Sequence, residues 1–210
     1  MQFSKAFFPI ALFVLATACG PKWTETKKDG FGLVAQDGGP TLGYSPASGV
    51  QILTVDRFAF KDLNKNGSLD PYEDWRLSAE ERAADLASQM SEEQIAGLML
   101  YSAHQSIPGG GYGRSTYDGK PFAESGAQAF DLTDDQVEFL TNDNLRHVLI
   151  TSVESPEVAA QWNNNAQALV EGLGLGIPAN NSSDPRHEAD SDEEYNLGAG
   201  GDISRWPGAI

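Results

Sequence analysis

The chain has 210 residues, 21% of them charged and 40% hydrophobic, and a formal net charge of −16. That length is enough for one sizeable globular domain with a real core. The acidity, which no basic cluster interrupts, excludes nucleic-acid partners, because their recognition depends on Lys and Arg displacing counterions from phosphates.

Residues 1–19, MQFSKAFFPIALFVLATAC, carry Lys5 and then an apolar run from Ala6 to Ala18 broken only by Pro9 and Thr17. The run is too short for a transmembrane helix and reads as an export signal. It closes on Ala18-Cys19-Gly20, which resembles the lipobox of bacterial lipoproteins, with Ala16 where Leu is commoner. Cys19 is then the lipidation site of an exported protein, periplasmic or associated with the outer membrane of a Gram-negative bacterium, whose contact with the membrane is the lipid anchor alone. The alternative is an ordinary signal peptide with a chance cysteine. Cys19 is also the only cysteine, so the exported part holds neither a disulfide nor a cysteine-based zinc site. Residues 20–55, rich in Gly, Pro, Thr and Lys over their first part and without apolar periodicity, are expected to form a tether and irregular lead-in.

Residues 56–77 contain DLNKNGSLDPYE, which meets the pattern D-x-[DN]-x-[DN]-G-x5-E through Asp62, Asn64, Asn66, Gly67 and Glu73. Side-chain oxygens at alternate positions converge on one centre, and Gly67 permits the sharp turn. Ser68 offers its carbonyl, Asp70 acts directly or through water, and Glu73 closes the shell with both oxygens. The expectation is an EF-hand-like loop holding a structural Ca2+ through Asp62, Asn64, Asn66, Ser68, Asp70 and Glu73, with affinity of about 10⁻⁴–10⁻³ M. No second loop accompanies it, which fits a clip better than a sensor. The other reading is an Asx-rich turn that binds nothing.

Residues 78–210 show helix and strand signals in alternation. Ser78 with Glu81 makes a capping box, followed by the stripe Ala83, Leu86, Ala87 and Met90. Ser91 with Gln94 repeats the device before Ile95, Leu98 and Met99. The Gly-rich stretch Ser106–Phe122 lacks a following Gly-Lys-Ser/Thr and reads as a surface loop. Thr133 opens a helix through Val137, Phe139 and Leu140, and His147–Ser152 reads as a buried strand. Ser155-Pro156 starts a helix whose stripe is Ala159, Trp162, Ala166, Leu169 and Val170, ended by Gly172 and Gly174. Ile177–Ser183 is a second strand candidate. The alternation predicts a parallel α/β arrangement. In barrels of that kind substrate contacts collect at the C-terminal ends of strands, which directs attention to residues 180–187. The acidic run Asp190–Glu194 reads as a solvated face. A closed barrel needs about 250 residues, whereas this stretch supplies about three or four strand–helix units, so the expectation is the N-terminal part of a longer domain, the alternative being an architecture other than a barrel.

FKDLNKNGSLDPYEDWR, then MSEEQIAGLM, resemble the N-terminal portion of glycoside hydrolase family 3, the β-glucosidase-like exo-glycosidases. Asn144-Leu-Arg146, Trp162-Asn163-Asn164 with Gln167, Gly176-Ile-Pro178, Asp184-Pro-Arg-His187 and Ser204-Arg-Trp-Pro207 extend the match in the family's order. The resemblance implies a partial (β/α)8 barrel and retaining hydrolysis of β-linked oligosaccharides or glucosides from non-reducing ends. Retention needs two carboxyl groups about 5–5.5 Å apart. In the family both lie beyond the region seen here, so no catalytic residue is assigned and the chain alone is expected to be inactive. Asp184 falls where the family binds hydroxyls of the terminal sugar, with Arg186 and His187 as supports. A turn or helix-capping carboxylate is the alternative for Asp184. A non-enzymatic, calcium-stabilised carbohydrate-binding surface lipoprotein is the competing reading of the whole.

Overall fold

The computed structural model describes residues 20–28, 30–109 and 115–183. The chain is a mixed α/β structure in two parts.

The first part is a β module. Residues 20–55, expected to be irregular, instead carry most of it. Strands β1 (Trp23–Lys28), β2 (Phe31–Gln36) and β3 (Leu42–Tyr44) form an antiparallel sheet in the order β1-β2-β3. Their pattern escapes a periodicity reading because β1 is almost wholly exposed and Val34 is the fully buried apolar side chain of β2. Strands β4 (Gln51–Val55) and β5 (Phe58–Asp62) follow as a hairpin. Its two-residue turn places Asp56 and Arg57 at φ of 51° and 74°, the left-handed pair whose twist matches that of the strands. The sheet and the hairpin are joined by Gln36, whose Oε1 accepts from Ala59 N at 2.9 Å and whose Nε2 donates to Ala59 O at 3.3 Å. Phe60 is fully buried, with Trp75 stacked on it at 5.3 Å and set edge-on to Phe58 at 5.5 Å.

The second part is an α/β unit. Helices α1 (Ala79–Gln89) and α2 (Glu92–Leu98) each begin at a complete capping box, formed by Ser78 with Glu81 and by Ser91 with Gln94. Helix α2 crosses the backbone of residues 143 and 144 so closely that a Cβ on Gly97 would stand 2.5 Å from the carbonyl oxygens of both Asp143 and Asn144. Then come β6 (Tyr101–Ile107), α3 (Phe122–Ser125), α4 (Asp134–Thr141), β7 (His147–Val153), α5 (Pro156–Glu171) and β8 (Asn180–Ser183). Strands β6, β7 and β8 pair in parallel and in sequential order. Strand β6 carries no sequence signal of its own, since it follows directly on α2 and its start is exposed, with Met99, just before it, 82% accessible.

The core lies between this sheet and α4 and α5. Trp162, Leu140, Val148, Ala166 and Val170 are all fully buried there. Gln136 is buried with them and fully engaged. Its Oε1 accepts from Trp162 Nε1 at 3.0 Å and from Thr133 N at 3.0 Å, while its Nε2 donates to Gln105 Oε1 at 3.2 Å. A buried amide is tolerated because each of its polar atoms has a partner. The described flanks of the Gly-rich stretch, up to Gly109 and from residue 115 on, are tied down. Tyr117 is 5% exposed and its hydroxyl accepts from Gly109 N, and Asp134 accepts from Thr116 Oγ1, Asp118 N and Gly119 N. Those three donors hold the Asp134 carboxyl below the usual range, the Thr116 hydroxyl foremost.

Among the described residues, no helix is long and apolar enough to cross a membrane. Residues 1–19, including Cys19, lie outside the described part, as do Asp184, Arg186 and His187.

Candidate functional site

Two places carry the chemistry singled out in the sequence. One is the Asp62–Glu73 loop, and the other is the end of the parallel sheet that leads to Asp184.

The loop leaves strand β5 at Asp62 and ends in a single 3₁₀ turn, Pro71–Glu73. It is therefore flanked by a strand and a tight turn, and the helix–loop–helix frame of an EF-hand is not formed. The reason is upstream: Phe58–Asp62 pairs with β4, and its β-branched and aromatic neighbours favour the hairpin. Asp62 is 2% exposed, its Oδ1 accepting from Asn66 N at 3.0 Å and its Oδ2 from Gly67 N at 2.9 Å. Gly67 takes φ of 79°, which a side chain would strain. The side-chain amides of Asn64 and Asn66 both donate from Nδ2 to Asp70 Oδ2, while Asn64 Oδ1 accepts from Asn66 N. Ser68 donates its N–H to Asn66 Oδ1. Glu73 folds back over the loop, Oε1 accepting from Leu63 N at 2.6 Å and Oε2 from Asp70 N at 3.1 Å.

The donor chemistry fits a hard cation: carboxylate and amide oxygens only, with no nitrogen or sulfur ligand. In this arrangement, however, the oxygens of Asp62 and Glu73 are engaged by the loop's own N–H groups. No set of three or more His, Cys, Asp or Glu side chains gathers as a metal cluster among the described residues. Burial pushes the Glu73 carboxyl above its usual range, opposed by the backbone donors at Asp70, Asn64 and Leu63. Burial, followed by the Glu73 charge, also raises the Tyr72 phenol, whose hydroxyl is enclosed without a hydrogen-bond partner.

Around the sheet, the motif residues turn out to hold the framework. Arg146 is 5% exposed. Its Nη1 donates to the carbonyls of Leu140 and Leu145, at 2.7 and 2.8 Å, and its Nε donates to Ile177 O at 3.0 Å. It thus binds the end of α4 to the Gly-Ile-Pro turn, and burial lowers its pKa. On α5, Gln167 holds both main-chain groups of Ala179, donating to the carbonyl at 2.8 Å and accepting from the N–H at 3.1 Å. One turn earlier, Asn163 accepts from Asn181 Nδ2 on β8. These contacts fix where β8 points, and β8 ends immediately before Asp184. On the exposed face of the sheet, Tyr101 stacks on His147, His147 Nδ1 meets Asn180 Nδ2 at 3.1 Å, and the Tyr101 hydroxyl bonds Ser182 Oγ.

What the sequence could not indicate is the junction between the two parts. Lys61 Nζ pairs with Glu171 Oε1 at 2.7 Å and donates to Gly43 O at 3.1 Å, and the buried Ser45 N–H donates to Glu171 Oε2 at 2.8 Å. Partners more than a hundred residues apart leave no local signal.

Comparison with known proteins places the chain. No family model matches it. It is 38% identical over 161 residues to a periplasmic beta-glucosidase/beta-xylosidase of Dickeya chrysanthemi, covering 76% of this chain and 22% of that protein. It is 28% identical over 172 residues to a probable beta-glucosidase C of Aspergillus oryzae, covering 78% of this chain and 24% of that protein. Both relatives carry glycosidase names, in agreement with the resemblance drawn from the motifs.

Proposed function

From a chain homologous to β-glucosidase-type glycosidases, we propose that these residues are the N-terminal portion of a retaining, exo-acting β-glycosidase of the family 3 type. The observation that carries the reading is the 38% identity over 161 residues, 76% of this chain. The three sequential parallel strands are what the first units of a (β/α)8 barrel would supply.

In this reading Asp184, just past the end of β8, accepts hydroxyl hydrogen bonds from the terminal sugar, and Arg186 and His187 support it. An ionised carboxylate suits that task because it accepts from two hydroxyls at once and fixes the ring's orientation. The framework contacts of Gln167 and Asn163 bring the chain to that point. The nucleophile and the general acid/base are supplied by residues beyond Ile210. The Asp62–Glu73 loop holds a structural Ca2+ through Asp62, Asn64, Asn66, Ser68, Asp70 and Glu73. The bound ion would supply cross-linking of the loop and no chemistry at the glycosidic bond. The name of the Dickeya relative includes "periplasmic", which supports export, and lipidation at Cys19 follows from the lipobox-like leader.

The test is hydrolysis of aryl β-glucoside and aryl β-xyloside by the protein as its gene encodes it, with the anomer of the product followed by NMR. Hydrolysis with retention is expected, and Asp184→Ala should lower kcat/KM by about a hundredfold or more, because removing a group that holds substrate hydroxyls leaves them unpaired. Binding of β-linked oligosaccharide without turnover would replace the reading with that of a carbohydrate-binding lipoprotein.

A further inference from the structure

The Asp62–Glu73 loop has two faces, and they alternate along the chain. Asp62, Asn64 and Asn66 turn inward, bonding to the loop's own N–H groups or to Asp70. The residues between them turn outward onto the α/β unit. Leu63 packs so closely on Gly176 that a Cβ there would stand 2.9 Å from Leu63 Cβ, at a position whose φ is already 64°. Lys65, at φ of 62°, reaches across and donates from Nζ to the carbonyl of Gly172 at 2.8 Å. Gly172 follows the last turn of α5, where carbonyls lack helical partners and a cation is favoured by the helix dipole. Gly172 and Gly176 both lie in the short connection that runs from α5 to β8.

We propose that the loop is a cation-operated clamp: Ca2+ bound by the inward residues fixes Leu63 and Lys65 in the outward positions that grip the α5–β8 connection. Calcium thereby stabilises the seating of the β module on the α/β unit and the path of the chain toward Asp184. The inference rests on the reading of the loop as a calcium site and goes beyond it, since a calcium loop need not touch anything. The physical basis is that alternate residues of one short loop cannot be ordered separately. Fixing three of them by ligation fixes the two between, and by linkage whatever those two grip must in turn strengthen ligation.

Electrostatics alone makes the opposite prediction for Lys65, because removing a positive charge beside a cation site should tighten calcium binding. The experiment titrates calcium chloride by isothermal calorimetry into the chelator-treated full-length protein and into its Lys65→Met and Leu63→Ala variants. Amide hydrogen exchange across residues 172–179 is followed with and without the ion. Expected are about fivefold or greater losses of calcium affinity in both variants, and slower exchange at Leu173 and Gly176 when calcium is present. Equal or tighter binding by Lys65→Met, or exchange that calcium leaves unchanged, overturns the clamp and leaves the calcium site standing. Absence of any binding heat in the unmodified protein overturns the calcium site and the clamp together.

Discussion

The α/β unit encloses Trp162, Leu140, Val148, Ala166 and Val170 completely, in one continuous cluster, whereas the β module encloses Val34, Ala59 and Phe60 and completes its core with Trp75. Around that small centre the module relies on polar ties. Arg76 stacks over Phe60 at 4.8 Å and pairs with Asp74 and Asp56, and Lys61 meets Glu171 across the junction. Small units cannot bury enough apolar surface to stand alone, so they depend on staples, ions or neighbours. The comparison therefore predicts that the α/β unit responds to changes in volume and the β module to changes in charge.

The strongest way to break it is Trp162→Ala. Removing a fully buried indole, and with it a donor to Gln136, should cost about 3–5 kcal/mol, read from urea unfolding. A loss below about 1 kcal/mol would mean that the α/β core does not depend on close packing. Next is Glu171→Gln, which keeps the shape but removes the charge facing Lys61 and weakens the acceptor for Ser45 N. It should cost about 1–3 kcal/mol and speed amide exchange in β4 and β5 while leaving β7 unchanged. Equal acceleration in both parts would show that they do not differ as argued. Thr133→Ala removes a buried helix cap and should cost about 1 kcal/mol, seen as a small drop in thermal midpoint.

The smallest effect is with pH, in the presence of chelator. Arg76 holds the Asp74 carboxyl low, so its contribution is present above the ordinary aspartate value of 3.8 and is lost as pH falls through its folded value. Glu73 has the opposite sign. Burial raises its carboxyl, so the folded state keeps the proton longer and stability falls as pH rises from the ordinary 4.5 through the raised value. Thermal melts from pH 3 to 7 should show the second slope in the unmodified protein and a flatter profile in Glu73→Gln.

Four helix starts were legible because each is written locally, while the short α3 carried no such signal. Ser78 with Glu81, Ser91 with Gln94, Thr133, and Ser155 before Pro156 all cap the helices that follow them, and the structure adds Gln136 as the partner of Thr133. Strand β7 was legible as an apolar run, and the expected strand Ile177–Ser183 forms only in its second half, β8, because Ile177 and Ala179 are spent on contacts to Arg146 and Gln167. The first three strands were hidden by their exposure, and β6 by following on α2 without a turn signal. At the loop, the oxygen-bearing residues and the turn at Gly67 could be read from spacing, but not what its other face touches. That depends on Gly172 and Gly176, which come close only after α5 has packed.

At Gly97, helix α2 lies against the Asp143–Asn144 backbone with no room for a single methyl group. Two main chains in contact cannot move aside as a side chain can. Every missense change at this position would have to prise α2 off the segment that leads into β7, whereas Met99, two residues on and almost fully exposed, is free to vary. In a saturation-mutagenesis library selected for folded protein, these near neighbours would mark opposite extremes of tolerance.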